Sequence, residues 1–214
     1  TYIESSTSTS INDLTDALIE ENSLYLGNDP SSTTWTTDTA QYNVAVGTTA
    51  LDAITRGDEN TAIGYDALTE NTTGDSNTAV GYYALKSNTT GGNNTALGEN
   101  ALSNNISGTT NTALGVKALF NNTSGLRNTA TGLNALYENT TGDYNTAIGA
   151  DALRDNTQGV LNSGLGYEAL KNNTTGDGNT ALGYRAGYQI SGGDYNITIG
   201  YDADVSSSQA TNSI

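Results

Sequence analysis

The sequence predicts a mainly β fold, a parallel β-solenoid of about ten coils of 17 residues each. Three observations predict it: a strict internal repeat, a composition poor in large apolar residues, and turn-forming residues at fixed places in every repeat. The motif Asn-x-x-x-Gly begins at Asn43 and returns at Asn60, Asn77, Asn94, Asn111, Asn128, Asn145, Asn162, Asn179 and Asn196, always 17 residues on. An unbroken register means that each copy spans the same path in space, because one extra residue would move every later side chain out of its stack. Composition agrees. Thr (35), Asn (27) and Gly (25) dominate the 214 residues, and hydrophobic residues are 35%, many of them alanines. A globular chain carries about 45–50%, so a core grown by this chain alone is thin.

Residues 1–42 stand apart from the array and read as an N-terminal cap or connector. Ser10-Ile11-Asn12-Asp13 fits a capping box, and Ile11, Leu14 and Leu18 fall on one helical face, which predicts a short helix over about 11–21. Asn22-Ser23-Leu24-Tyr25-Leu26-Gly27 has the outline of a degenerate repeat strand, and residues 28–42, with Pro30 and Trp35, predict a loop. A solenoid needs such a cap because its terminal coil otherwise exposes an edge.

Over residues 43–214 the consensus is Asn-Thr-Ala-Ile-Gly-x-x-Ala-Leu-x-x-Asn-Thr-Thr-Gly-x-x. Positions two to four predict a three-residue strand, with Thr and the aliphatic residue pointing one way and Ala the other. The aliphatic column at position four, interrupted by Thr131, is expected to form the core of the coil. The small residue at position three, Ala or Gly164, then predicts a close neighbour on the opposite face, and the expected neighbour is another chain. Gly at position five, and at position fifteen from Gly57 to Gly193, predicts corners that need a positive φ or a tight backbone approach. Asn at position one, and at position twelve from Asn71 to Asn173, suits both left-handed turns and amide ladders between coils. The segment after position five holds Ala at position eight (Ala50 to Ala203) and Leu at position nine (Leu51 to Leu170). Its helix formers predict one short helical turn per coil, with a second short strand as the competing reading. Columns six, seven, ten, eleven, sixteen and seventeen vary freely and are expected to face solvent. Thr211-Asn212-Ser213-Ile214 reads as a truncated eleventh repeat, so the natural chain is expected to continue.

The Asn-Thr-Ala-Ile-Gly unit with its Gly corner resembles the head repeats of trimeric autotransporter adhesins, whose usual unit is shorter. The longer form with Ala-Leu and Asn-Thr-Thr-Gly is similar to repeat arrays in surface proteins of marine bacteria and in phage tail-fibre proteins. The resemblance covers residues 43–214. It implies a left-handed β-roll or β-solenoid, three chains around one axis, and an extracellular adhesive fibre on a cell surface or virion, with a surface receptor or glycan as partner. A homotrimeric rod also follows from energetics. One three-residue strand and one Leu per coil do not offset about 1–2 kcal/mol of backbone entropy per ordered residue unless another apolar face is buried. The Ala columns at positions three and eight are the expected faces.

Other functions are narrowed by what the chain lacks. Without His or Cys there is no histidine base, no cysteine nucleophile and no His or Cys metal ligand. The sequence nominates no catalytic, cofactor-binding or metal-binding residue, and a non-enzyme is expected. A formal net charge of −16, from 23 acidic and 7 basic residues, opposes binding to nucleic acid. No apolar run reaches the roughly 18 to 20 residues of a membrane span. Position sixteen aligns Asp58, Asp75, Asp143, Asp177 and Asp194 as a candidate calcium face, interrupted by Gly92, Thr109, Leu126 and Val160, so a solvated acidic face is the expectation. Position six aligns Tyr65, Tyr82, Tyr167, Tyr184 and Tyr201 as a candidate sugar-stacking strip, against which stands plain surface packing. Sequons at Asn71, Asn88, Asn105, Asn122, Asn139 and Asn173 are expected to be turns rather than glycans. Ice binding through ranks of Thr, and a glycan-degrading tail spike, remain as alternatives to the fibre; the second would need paired carboxylates in a groove, and no pair stands out.

Overall fold

The structure, a computed structural model, describes residues 17–20, 23–26 and 40–213. Twelve strands form one sheet in chain order. The first two are β1 (Ala17–Glu20) and β2 (Ser23–Leu26), and each repeat then adds one three-residue strand, from β3 (Val44–Val46) to β12 (Ile197–Ile199). Neighbours from β2 onward are parallel and pair like position with like, as Thr61 with Thr78, Ala62 with Ala79 and Ile63 with Val80. At about 4.8 Å per strand the ten coils make a rod section on the order of 50 Å long.

Hydrogen bonds between coils continue beyond the strands. The N–H of Thr61 donates to the carbonyl of Asn77, that of Leu68 to Ala84, that of Glu70 to Lys86 and that of Thr72 to Thr89, while Gly64, Tyr83 and Ser76 donate back to the preceding coil. The expected helical turn after position five is therefore absent. The N–H groups at positions nine and eleven serve as rungs to the next coil and that at position seven as a rung to the preceding one, all of which a helix would turn inward on itself. Residues at positions seven and nine take the left-handed region instead, with φ between 50° and 55° at the eight leucines from Leu51 to Leu170. Such a conformation costs roughly 1–2 kcal/mol for a residue with a Cβ. Burial of the Leu side chain and its rung at 2.9–3.1 Å offset that cost.

The interior is narrow. Its occupants are Ala at positions three and eight, Leu at position nine and Asn at positions one and twelve, nearly all with no solvent exposure. A Cβ built at Gly164 would lie 3.5 Å from Leu153 Cγ, so position three faces the Leu column of its own chain. Two expectations are thereby reversed. The aliphatic column at position four points outward, at 40% to 66% exposure for Ile63, Leu97, Ile148, Leu165, Leu182 and Ile199. The Ala columns, expected to meet another chain, are sealed inside the coil. The reason is volume: once Leu fills the lumen from the opposite wall, the strand has room only for a methyl group.

Asn and Gly close each coil. Asn60 at position one and Asn71 at position twelve both donate from Nδ2 to the carbonyl of Gly74, each at 2.9 Å, which ties the start of the coil to its last corner. The Oδ1 of Asn60 accepts the N–H of Asn77, the same position one coil on. Neither Asn column has positive φ, so amide ladders and closure, and not left-handed turns, select these residues. The two glycines differ as well. Position five has φ between 129° and 140°. Position fifteen needs space: a Cβ at Gly108 would sit 2.4 Å from Asn105 Oδ1 and 2.6 Å from the carbonyl of Gly125.

At the N-terminal end, β1 pairs antiparallel with β2, Ala17 opposite Leu26 and Glu20 opposite Ser23. The described part of the predicted helix over 11–21 is thus a strand, and the rest lies outside the described residues. An open edge of a parallel sheet presents unpaired N–H and C=O groups, and a strand satisfies them where a helix does not. The degenerate unit is as expected: Leu24, Tyr25 and Leu26 pair with Val44, Ala45 and Val46. Of the predicted loop over 28–42, Ala40 to Tyr42 are described and already follow the coil, with Gln41 N–H donating to Asp58 and its carbonyl accepting from Glu59. At the other end Ser213 takes the first position of an eleventh unit, its carbonyl accepting from Ile197.

Candidate interaction surfaces

Four ranks of side chains run along the rod, and each is set by its position in the coil. The position-sixteen carboxylates are held by backbone. Asp58 Oδ1 accepts the N–H of Gln41 at 2.7 Å, Asp75 that of Asp58 at 2.9 Å, Asp143 that of Leu126 at 2.7 Å, Asp177 that of Val160 at 2.8 Å and Asp194 that of Asp177 at 2.8 Å. Each side chain satisfies a corner N–H of the preceding coil. Among the described residues no group of three or more Asp, Glu, His or Cys side chains is placed to hold a metal ion.

Tyrosines of position six stack on one another. Tyr65 and Tyr82 have ring centroids 5.6 Å apart, Tyr167 and Tyr184 5.3 Å, and Tyr184 and Tyr201 5.0 Å. Stacking covers one face of each of these rings and both faces of Tyr184, so these are ladders along the rod. The hydrogen bond with Tyr83 pushes the Tyr82 hydroxyl up to about 12. A further stack, Phe120 on Tyr137 at 5.2 Å, lies in column ten and was not singled out by the sequence. Its signal is the aromatic pair at a spacing of one repeat.

The sequon asparagines are buried without solvent exposure. Asn105, Asn122 and Asn139 donate in turn to Asn88, Asn105 and Asn122, at 2.7 to 2.8 Å, and no glycan can be attached to them in the folded coil. The ladder runs from Asn71 to Asn173 between Ile54 and Ile190 at the same position of the flanking coils. Asn173 Oδ1 consequently has no donor.

A polar hollow of about 270 Å³ is lined by Lys117, Asn134, Tyr137, Glu138 and Arg154. Arg154 is already engaged by Asp155 at 2.8 Å, which raises its pKa. The fourth rank is the outward face of the strands, where the Thr column of position two runs beside the aliphatic column of position four. This face was missed because the sequence assigned its apolar half to the core. A groove of about 280 Å³ lies along it, with Thr146 and Thr180 on one wall, Leu165 and Leu182 on the other, and Gly164 in the floor.

Comparison of the chain with protein-family models, with curated proteins and with solved structures finds no match. The surfaces themselves carry the functional reading. No helix among the described residues is long and apolar enough to cross a membrane.

Proposed function

We propose that this chain is a structural and adhesive segment of an extracellular fibre, assembled as a homotrimer and carried on a cell surface or a virion, and that it is not an enzyme. The observation that carries the reading is the direction of the hydrogen bonds. Strand rungs, corner rungs and both Asn ladders run from coil to coil, along the long axis, so tension on the rod is shared by many parallel bonds in every coil. Repeats that contact only their neighbours extend a shaft without redesign of its core. Adhesion to a surface receptor or glycan would fall to the freely varying columns, which tolerate exchange because they do not enter the coil.

Light scattering tests the assembly: the expected particle has the mass of three chains, and a folded monomer near 22.1 kDa overturns the trimer. Imaging of the source organism or virus tests the location, a rod on an envelope or a tail supporting it. A second reading, ice binding, is favoured by one observation: the Thr column, expected to be partly internal, lies on the outward, half-buried to exposed face in the strands from Thr61 to Thr180, with Ser163 in place of Thr at one of them. Thermal hysteresis of the purified chain would support that reading, and its absence removes it.

A further inference from the structure

We infer that the outward Thr–aliphatic face of the strands is the surface on which copies of this chain dock against each other, parallel and in register, and that Thr131 sets the register. The inference rests on the fibre reading above and names its interface. Charge favours this face. Strands β3 to β12 read VAV, TAI, TAV, TAL, TAL, TAT, TAI, SGL, TAL and ITI, with no charged residue, in a chain of net charge −16. In the described repeats the acidic residues lie outside the strands β3 to β12, where they oppose the approach of a second copy by like-charge repulsion. The strand face is free of that repulsion.

Apolar area favours it as well. Half-exposed aliphatic side chains follow one another along the rod for on the order of 50 Å, and soluble monomers rarely leave so continuous an apolar strip uncovered. So does relief. The groove floored by Gly164 lies between a Thr ridge and an aliphatic ridge, and both ridges repeat at the strand spacing. An aliphatic ridge from a second copy, having the same repeat, seats in that groove along its whole length. Position four mixes Val80, Leu97, Thr131 and Ile148, so the ridge is uneven in height. Uneven relief suits interdigitating side chains and not a planar crystal lattice, which selects a second copy over ice as the occupant.

Thr131 is the one hydroxyl in the position-four column. Parallel, in-register packing brings the Thr131 hydroxyls of the copies together, where they hydrogen-bond to one another. A shifted arrangement, or an antiparallel one not centred on Thr131, separates them and leaves each hydroxyl only the Thr column of the groove wall as a partner. A single polar residue in an apolar seam specifies register in coiled coils by the same logic.

The test uses the full chain. Leu165→Lys with Leu182→Lys places two charges on the face, and Leu133→Lys places one on a corner column as a control. All three side chains are exposed, so circular dichroism should show the coil intact in both variants. The expected result is a folded monomer for the double variant and an unchanged oligomer for Leu133→Lys. An oligomer that survives the double substitution overturns the interface while leaving the fibre reading in place. A wild-type monomer overturns both, and thermal hysteresis by that monomer would give the face to ice.

Register is read by cysteine cross-linking, since the chain has no cysteine of its own. Leu97→Cys should cross-link to Leu97→Cys under mild oxidation, and a mixture of Leu97→Cys and Leu114→Cys chains should give no cross-linked heterodimer. Heterodimers should appear once Thr131→Leu is added to both. Equal heterodimer yield with and without Thr131→Leu overturns the role of Thr131.

Discussion

Asn122 and Gly108 show how little freedom an individual side chain has in this coil. Asn122 Nδ2 donates to Asn105 Oδ1 and to the carbonyl of Gly125, and its Oδ1 accepts from Asn139. Asn122→Ala removes three buried hydrogen bonds at about 0.5–1.5 kcal/mol each, taking the Asn122 donor from Asn105 Oδ1 while the Gly125 carbonyl keeps Asn111 and Asn139 keeps Gly142. The expected loss is several kcal/mol, read by chemical denaturation, and a loss below about 1 kcal/mol would show that water or relaxation replaces the ladder. Gly108→Ala drives a methyl into Asn105 Oδ1 and the next coil's carbonyl, so the melting temperature should fall sharply. Leu133→Ala, exposed at a corner, should stay within about 0.5 kcal/mol of the wild type. The Asn and Gly columns were legible because few other residue types serve there. The left-handed leucines were not, since nothing in a Leu codon position signals positive φ; the coil imposes it.

Ion pairs sit on the corners, and Glu168 is the clearest. Its hydrogen bond with the Lys171 ammonium, 2.5 Å away, holds the carboxyl below its ordinary value of 4.5, and the same contact raises Lys171 above 10.5. The carboxylate's contribution is present above pH 4.5 and is lost as pH falls through the lowered folded value. That of Lys171 is present below pH 10.5 and is lost as pH rises through its raised folded value. Melting curves of wild type and Glu168→Gln should therefore differ at neutral pH and converge in acid. A gap that persists at the lowest pH would mean that Gln disturbs packing instead.

A single strand illustrates the next level. Thr112–Leu114 alternates as a strand should, and the alternation was read correctly from its sequence. Which face turns inward was not, because a period of two defines two faces and leaves the choice to the space behind each. The position-nine leucines already occupy that space, so Ala113 goes in and Leu114 out. Ala113→Leu is expected to cost about 1–3 kcal/mol or more through overpacking, whereas Leu114→Val should change stability little. Equal effects of the two would contradict the assignment of faces. The N-terminal hairpin carries the same lesson: Leu14 and Leu18 fit a helical face, but the open edge of β2 draws Ala17–Glu20 into a strand.

Across the whole molecule, stability is close to a sum over coils and their interfaces. Deleting residues 94–110, one full repeat of 17, should leave a folded rod with a similar melting temperature. Deleting 16 of the same residues puts every later coil out of register with the earlier ones, and the β signal should drop or the melt should split into two transitions. A 16-residue deletion that behaves like the 17-residue one would show that the coils are not coupled by register.

From the residue pattern alone the repeat length, the number of coils, the strand positions within the repeats, the parallel like-to-like pairing and the Asn ladders could all be written down. They follow because each depends on spacing and on side-chain types with few substitutes. The direction of each face, the replacement of the helical turn by left-handed rungs, and the exposure of the Thr–aliphatic strip came only from closing the coil. Those outcomes depend on how much volume a 17-residue circuit encloses and on where its neighbours' carbonyls lie, and no single repeat contains that information.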